Sequence, residues 1–183
     1  LAIRTGHELV IPECNIGKLI NGPIRMVSRG DMPEPTQVYR EPQYSYDALP
    51  SPSAHNSILA LHGYFQSYRY FDQEFEQIRD FLRPHDEVWD LAREQTESFG
   101  DGLVALCVRR GDYVQKQGYH PVLPLSYYFQ AVQELPSFKK LLVFSDDIPW
   151  CRENLKLPNL EFVEEHDGWV KLWMMTFVDH HII

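Results

Sequence analysis

The fold is decided by the stretch LVALCVRRGD, residues 103–112, and by LLVFSDD, residues 141–147, which has the same pattern. Each begins with a continuous apolar run, which is typical of a strand covered on both faces in a parallel sheet. Polar and charged side chains follow where each run ends. Parallel neighbours end on the same edge of a sheet, so the two stretches predict an α/β fold that gathers these side chains at one edge.

Helical and apolar segments alternate after residue 100. Apolar residues recur at helical spacing in Leu125–Leu135 and Trp169–Val178, while Leu160–Val163 and His181–Ile183 are short apolar runs. This alternation predicts right-handed βαβ crossovers and a three-layer α/β domain over residues 100–183.

The first part of the chain, residues 1–99, gives weaker signals. A helix is predicted in Leu1–Gly6, strands in Glu8–Pro12 and Ser57–Leu61, and two helices before Gly100. Six prolines lie between residues 23 and 52 with little periodicity. We interpret that segment as a long connection that touches an acceptor substrate.

Composition excludes several classes of partner and protein. The 183 residues carry a formal net charge of −9, which argues against nucleic acid and against an anionic membrane surface. The apolar stretches fall far short of the roughly 20 residues that cross a bilayer, so no transmembrane segment is predicted. The glycine-rich loops of dehydrogenases and P-loop NTPases and the G-x-S-x-G hydrolase motif are also absent from the sequence.

Two adjacent arginines, Arg109 and Arg110, directly follow the first strand. A planar guanidinium donates two parallel hydrogen bonds to a phosphate, so the pair is able to hold a diphosphate without a metal. Gly111 allows close approach of the backbone. The alternative, that the arginines are solvated or paired with nearby carboxylates, is equally consistent with the dipeptide.

The second strand is followed by Ser145, Asp146 and Asp147, which are expected at the same edge. Carboxylates there accept hydrogen bonds from a base or ribose, or orient the arginines. Capping of the next helix by either aspartate is an equally good interpretation. A metal site at Asp179-His180-His181 is disfavoured, because no third ligand follows at helical spacing.

A further segment, HGYFQS, residues 62–67, mixes hydrogen-bonding groups with aromatic rings, which suits a sugar. An aromatic core segment that enters a helix is the equally weighted alternative.

These segments, in their order, resemble the motifs of the α-1,2-fucosyltransferases of glycosyltransferase family 11. The similar stretches are RTGHELVIP (4–12), HGYFQSYRYF (62–71), LVALCVRRGDY (103–113), LLVFSDDIPWCRENL (141–155) and HHII (180–183). The resemblance implies a GT-B-like fold of two Rossmann-like lobes, with residues 1–99 on the acceptor side and residues 100–183 binding GDP-L-fucose. It also implies inverting, metal-independent transfer of fucose to a galactoside hydroxyl.

The resemblance also implies roles for individual residues. By similarity, Arg110 is a catalytic candidate that stabilises the leaving GDP. Asp112 is a second catalytic candidate, as a general base, but the resemblance does not name the base. Donor binding is expected from Arg109, Arg110, Ser145, Asp146, Asp147 and His181, and acceptor binding from His62, Tyr64 and Gln66. Transfer of another nucleotide sugar, or a non-catalytic nucleotide- or glycan-binding remnant, are the alternatives.

The chain departs from the family pattern at three places. Cys107 stands where these enzymes usually carry a histidine, and a thiol is a weak hydrogen-bonding group. Motifs expected before residue 1 and after Ile183 are missing, so we expect an incomplete C-terminal lobe. The chain is then either the ordered portion of a longer protein or a fragment that does not complete the donor site. Three free cysteines and no signal segment suggest a bacterial cytoplasmic protein, with membrane association as an option. The Golgi lumen is the alternative for a truncated eukaryotic protein.

Overall fold

Two compact units make up the chain, Leu1–His85 and Asp86–Ile183. The structure is a computed structural model and describes residues 1–2, 6–14, 22–51, 57–164 and 167–183. The helix predicted in Leu1–Gly6 lies outside the described residues in its central part.

Within its described residues, the first unit contains two short parallel strand pairs and the helix α1 (Phe75–Leu82). Strand β1 (Leu9–Pro12) pairs with β2 (Ile24–Val27), and β3 (Gln37–Arg40) pairs with β4 (Leu59–His62), in both cases in parallel. Two 3-10 turns precede helix α1 (Phe75–Leu82). Within the described residues, the two pairs form separate sheets.

The segment from residue 23 to residue 52 differs from the prediction of a long connection, because β2 and β3 lie within it. Each strand has only four residues, which is too short for a recognisable alternation of apolar and polar positions. Their partners lie at a distance along the chain, so pairing in the folded protein, not local sequence, defines them.

The second unit is an α/β domain with a four-stranded parallel sheet in the order β7-β6-β5-β8. Its elements are α2 (Asp86–Ser98), β5 (Leu103–Val108), α3 (Leu125–Gln133), β6 (Lys140–Ser145), α4 (Ile148–Asn154), β7 (Leu160–Phe162), α5 (Gly168–Met174) and β8 (His180–Ile182). The predicted α/β class is therefore confirmed. The unit begins at Asp86 instead of at residue 100, because α2 packs against α5.

The two central strands are buried on both faces, as their apolar runs predict. One face, with Val104, Leu106 and Val143, packs against the helix residue Tyr128 and against Cys151. The other face is formed by Leu103, Ala105, Leu142 and Phe144 and packs against Ala92, Val170 and Met174. Within the described residues, no helix is long and apolar enough to cross a membrane.

Replacing Leu142 with alanine should lower the free energy of unfolding of the second unit by about 2–5 kcal/mol. The Leu142 side chain is fully buried in the core, so its removal leaves a cavity. Urea denaturation followed by circular dichroism measures the change. The control is Leu172→Ala, since Leu172 on α5 is 45% exposed. Equal losses in the two variants would contradict the described core.

Candidate functional site

The parallel pairing of β5 and β6 brings the predicted donor-binding residues together. Val108 lies opposite Ser145 in the register, so the arginines and the aspartates leave the sheet at the same edge. The Ser145 hydroxyl donates to the carbonyl oxygen of Val108 at 2.7 Å and accepts from the backbone N–H of Asp147 at 2.9 Å. Ser145 therefore ties the two strand ends to each other and to the following turn.

The Asp146 carboxylate organises the turn after β5. Its Oδ1 accepts hydrogen bonds from the backbone N–H groups of Arg110 at 2.8 Å and Gly111 at 3.0 Å. Its Oδ2 lies 2.5 Å from Nη1 of Arg109. A Cβ atom at position 111 would lie only 2.7 Å from Oδ2, so any residue other than glycine there would displace the Asp146 carboxylate.

The Arg110 side chain is held in place by a carboxylate and an aromatic ring. Its Nε lies 3.2 Å from Oδ2 of Asp147, and its guanidinium carbon lies 3.7 Å from the centre of the Trp150 ring. The side chain is only 16% exposed. Among the described residues, no acceptor is paired with its Nη atoms, so both remain available to an anion.

Asp147 also caps helix α4, since its Oδ1 accepts from the backbone N–H of Trp150 at 3.2 Å. Two sequence interpretations of this aspartate, helix capping and pairing with an arginine, are therefore confirmed, while contact with a base or ribose stays a prediction. The sequence did not identify Trp150 as part of the site, although it lies within the similar stretch LLVFSDDIPWCRENL. Trp150 lies far from Arg110 along the chain, so the sequence does not predict the contact between them.

Arg109 is the more exposed of the two arginines, with 60% of its side chain accessible. Besides Asp146, it contacts Asp112, whose Oδ1 lies 3.3 Å from Nη2, and it lies over the Tyr113 ring at 5.3 Å. The predicted pairing of the arginines with nearby carboxylates is thus present. Because Arg109 is exposed, its ion pairs with these carboxylates contribute little free energy, and replacing them by contacts with a phosphate needs little free energy.

Asp112 lies between two cations at the start of a 3-10 turn. The Lys116 ammonium, 3.0 Å from its Oδ2, lowers the pKa of this carboxyl, and the Arg109 guanidinium adds to the effect. A carboxylate that is stabilised in its charged form is a weaker proton acceptor.

His181 and Cys107 lie apart from the arginines. His181 pairs with Ala105 in the middle of β5, and its Nε2 lies 2.6 Å from the carbonyl oxygen of Met175. The Cys107 sulfur lies 3.2 Å from the sulfur of the same methionine, and burial raises the pKa of its thiol. Within the described residues, neither side chain contacts Arg109 or Arg110.

Asp179 has a structural role, because its carboxylate accepts the backbone N–H of Leu103 at 3.0 Å. In the described part of the chain, no group of three or more His, Cys, Asp or Glu side chains is arranged to hold a metal ion.

The predicted acceptor residues lie in the first unit, at the end of β4 and on the loop after it. His62, Tyr64 and Gln66 are all exposed. The loop is fixed by Glu41, whose Oε2 accepts the backbone N–H groups of Tyr64 at 2.7 Å and of the next residue at 3.0 Å. Sequence analysis did not identify Glu41, because a single glutamate after a short strand carries no local signal.

Replacing Lys116 with glutamine should raise the pKa of Asp112 toward the ordinary aspartate value of about 4. Because the pKa of Asp112 is lower in the folded protein than in the unfolded chain, its charged carboxylate stabilises the folded state at pH values above the unfolded-chain pKa. This stabilisation is lost as the pH falls through the pKa that Asp112 has in the folded protein. An NMR titration of the Asp112 carboxyl carbon measures the shift, with Lys156→Gln as the control. An unchanged pKa in the Lys116 variant would contradict the described ion pair.

Known proteins with similar sequences agree on one family. The model of "Glycosyl transferase family 11" matches residues 7–183. An Escherichia coli α-1,2-colitosyltransferase is 30% identical over 132 residues, which is 66% of this chain and 46% of that protein. The galactoside α-(1,2)-fucosyltransferase 1 of Lagothrix lagotricha is 31% identical over 148 residues, 69% of this chain and 40% of that protein.

The chain therefore spans less than half the length of these curated relatives. No solved structure matches it significantly. The family model covers nearly the whole chain, including the two strand ends that carry the paired arginines and aspartates. The chain belongs to glycosyl transferase family 11.

Proposed function

We propose that this chain forms the donor-binding part of an inverting galactoside α-1,2-fucosyltransferase that uses GDP-L-fucose. One observation carries the proposal: two arginines, with two aspartates that orient them, converge at the carboxyl edge of a parallel sheet. This edge is where open α/β sheets bind ligands. Membership of the family and the names of the relatives support the choice of a glycosyl transfer.

In this proposal, Arg110 binds the diphosphate of the donor. Asp147 holds the Nε of Arg110 and Trp150 covers one face, so the guanidinium is oriented before the donor arrives and its Nη atoms are directed to the phosphate oxygens. Such preorganised donors act most strongly where negative charge develops in the transition state. Arg109, which is exposed, exchanges its carboxylate partners for a second phosphate contact.

The transfer step follows from this placement. A hydroxyl oxygen of the galactoside attacks C1 of fucose from the face opposite GDP and forms the new glycosidic bond. The bond between C1 and the phosphate oxygen breaks, and its electron pair leaves with GDP, where the two arginines stabilise the added negative charge. The hydroxyl proton passes to a base.

We propose that Asp112 orients Arg109 in preference to acting as that base. The lowered pKa of its carboxyl and its contact with two cations make it a poor proton acceptor. Ser145, Asp146 and Asp147 act by positioning the arginines beside GDP. His181 belongs to the proposed donor lobe and lies on β8, the strand next to β5.

We further propose that the two units correspond to the Rossmann-like lobes of a GT-B-like fold. The second unit takes the donor, since it carries the arginines. The first unit takes the acceptor, with His62, Tyr64 and Gln66 exposed on a loop held by Glu41. We also propose that the protein is located in the bacterial cytoplasm, where it is free or associated with the membrane.

A second candidate is transfer of a different sugar from its nucleotide. It is favoured by one observation, that the similar Escherichia coli protein is named a colitosyltransferase, whereas the similar Lagothrix lagotricha protein is named a fucosyltransferase. A panel of nucleotide sugars, tested for hydrolysis and for protection against thermal unfolding, separates the two candidates.

Replacing Arg110 with alanine should reduce the rate of GDP release from GDP-fucose about 100-fold, because the main donor to the leaving group is lost. The measurement is a coupled assay for GDP, and addition of EDTA should leave the wild-type rate unchanged. The matched control is Arg93→Ala, since Arg93 is an exposed arginine paired with Asp90 on α2.

Three results would contradict the proposal. They are strict dependence on a divalent metal, an unchanged rate in the Arg110 variant, and GDP binding without any transfer or hydrolysis. The last result would favour a nucleotide-binding remnant.

A further inference from the structure

The first unit contains a half-open cleft that none of the predicted site residues lines. Its volume is about 350 Å³, and its walls include Tyr46, Ala48, Leu49, Ser51, Arg69 and Tyr70. The lining combines aromatic rings and small apolar groups with a hydroxyl and a guanidinium. A pyranose ring has the same mixed surface, with apolar C–H faces and an edge of hydroxyl groups.

The aromatic part of the cleft has a defined geometry. The rings of Tyr46 and Tyr70 are 4.9 Å apart at their centres, and the Arg69 guanidinium carbon lies 4.2 Å from the centre of the Tyr46 ring. Stacking on Tyr46 orients the arginine without neutralising it. Among the described residues, no carboxylate is paired with Arg69, so its N–H groups remain available to hydroxyl oxygens.

Hydrogen bonds fix one wall of this cleft and connect it to the loop that carries Tyr64. The Tyr70 hydroxyl accepts the backbone N–H of Asp47 at 3.0 Å and lies 3.4 Å from Oε1 of Glu41. The other oxygen of Glu41 holds the backbone N–H of Tyr64 at 2.7 Å. One carboxylate therefore supports both the cleft wall and the exposed loop.

A second hydrogen bond stiffens the same wall. The Tyr39 hydroxyl donates to Oδ2 of Asp47 at 2.7 Å, and this bond raises the pKa of Tyr39 to about 12. The Tyr39 hydroxyl donates its proton to this bond, which keeps Asp47 in place. A wall that is fixed before the ligand arrives loses less entropy on binding.

The charge of the cleft favours a neutral ligand over a nucleotide. Of the described residues that line it, Arg69 is the one cation, whereas a diphosphate needs several donors, as the arginine pair of the second unit provides. Among the described residues, the cleft is open on one side, which leaves room for an oligosaccharide to continue beyond the bound ring.

From these contacts we infer that the cleft binds a hexopyranose unit of the acceptor oligosaccharide, with Tyr46 and Arg69 as its binding residues. The assignment of this sugar as the acceptor rests on the proposed fucosyl transfer. Binding of the sugar itself is a separate property of the first unit. It is measured without any donor.

Lactose is the probe, and its binding to the 183-residue chain is followed by saturation-transfer NMR. Tyr46→Ala and Arg69→Ala should each weaken binding about 3- to 10-fold and raise the KM for lactose in transfer by the same factor. Tyr46→Phe keeps the ring and should retain most of the affinity. Tyr68→Ala is the matched control, because Tyr68 is a 67% exposed neighbour that does not line the cleft.

Donor hydrolysis in the absence of lactose separates this inference from the proposed function. If hydrolysis depends on Arg110 while lactose binding is unchanged in folded Tyr46→Ala and Arg69→Ala, the cleft assignment is overturned and the donor proposal stands. If lactose binding depends on Tyr46 and Arg69 but GDP-fucose is not hydrolysed, the cleft assignment stands and the proposed function fails. Displacement of lactose from the cleft by GDP alone would also overturn the assignment.

Discussion

The parallel pairing of β5 with β6 is the constraint on which the candidate site of the second unit depends. Because the strands end together at Val108 and Ser145, the segments that follow them leave the sheet side by side. The Ser145 hydroxyl closes this end by bonding to both the neighbouring strand and its own turn. Without that register, the arginine pair and the aspartates would lie at different heights along the sheet.

Charge balance at this edge explains how an acidic chain keeps two adjacent arginines in order. Asp146 neutralises Arg109 and also accepts two backbone N–H groups, so one carboxylate satisfies three donors. The Arg110 side chain differs from that of Arg109, because it is mostly buried. Its carboxylate partner, Asp147, also caps helix α4. The mostly buried Arg110 guanidinium is held in one orientation by Asp147 and Trp150, whereas the exposed Arg109 guanidinium is able to exchange its carboxylate partners.

The first unit depends on hydroxyl and carboxylate contacts more than on a deep apolar core. Its strands are short, and their residues are at most half-buried. Glu41 and Asp47 link the strand β3 region to the loop and to the tyrosine ring of Tyr70. Such networks hold a surface rigid when every member finds a partner, and they are strengthened by partial burial.

How far the sequence specified the fold depends on the length of each element. The strand at Leu103–Val108 was predicted with its observed bounds, because six consecutive apolar residues leave no competing interpretation. The strands β2 and β3 were missed, since four residues between prolines carry too little pattern. Asp86–Ser98 was predicted as a helix, but its packing against α5, and so its place in the second unit, was not visible locally.

The sequence by itself determined the α/β class of the second unit, the strand ends that carry Arg109, Arg110, Ser145 and Asp147, and the family motifs. These are encoded in contiguous residues, where apolar runs and the side chains that follow them can be recognised directly. Only the tertiary structure decided that Trp150 stacks on Arg110, that a side chain at position 111 would displace the Asp146 carboxylate, and that Glu41 supports the Tyr64 loop. Each of these contacts joins residues far apart along the chain, and their distances are set by strand register and helix packing.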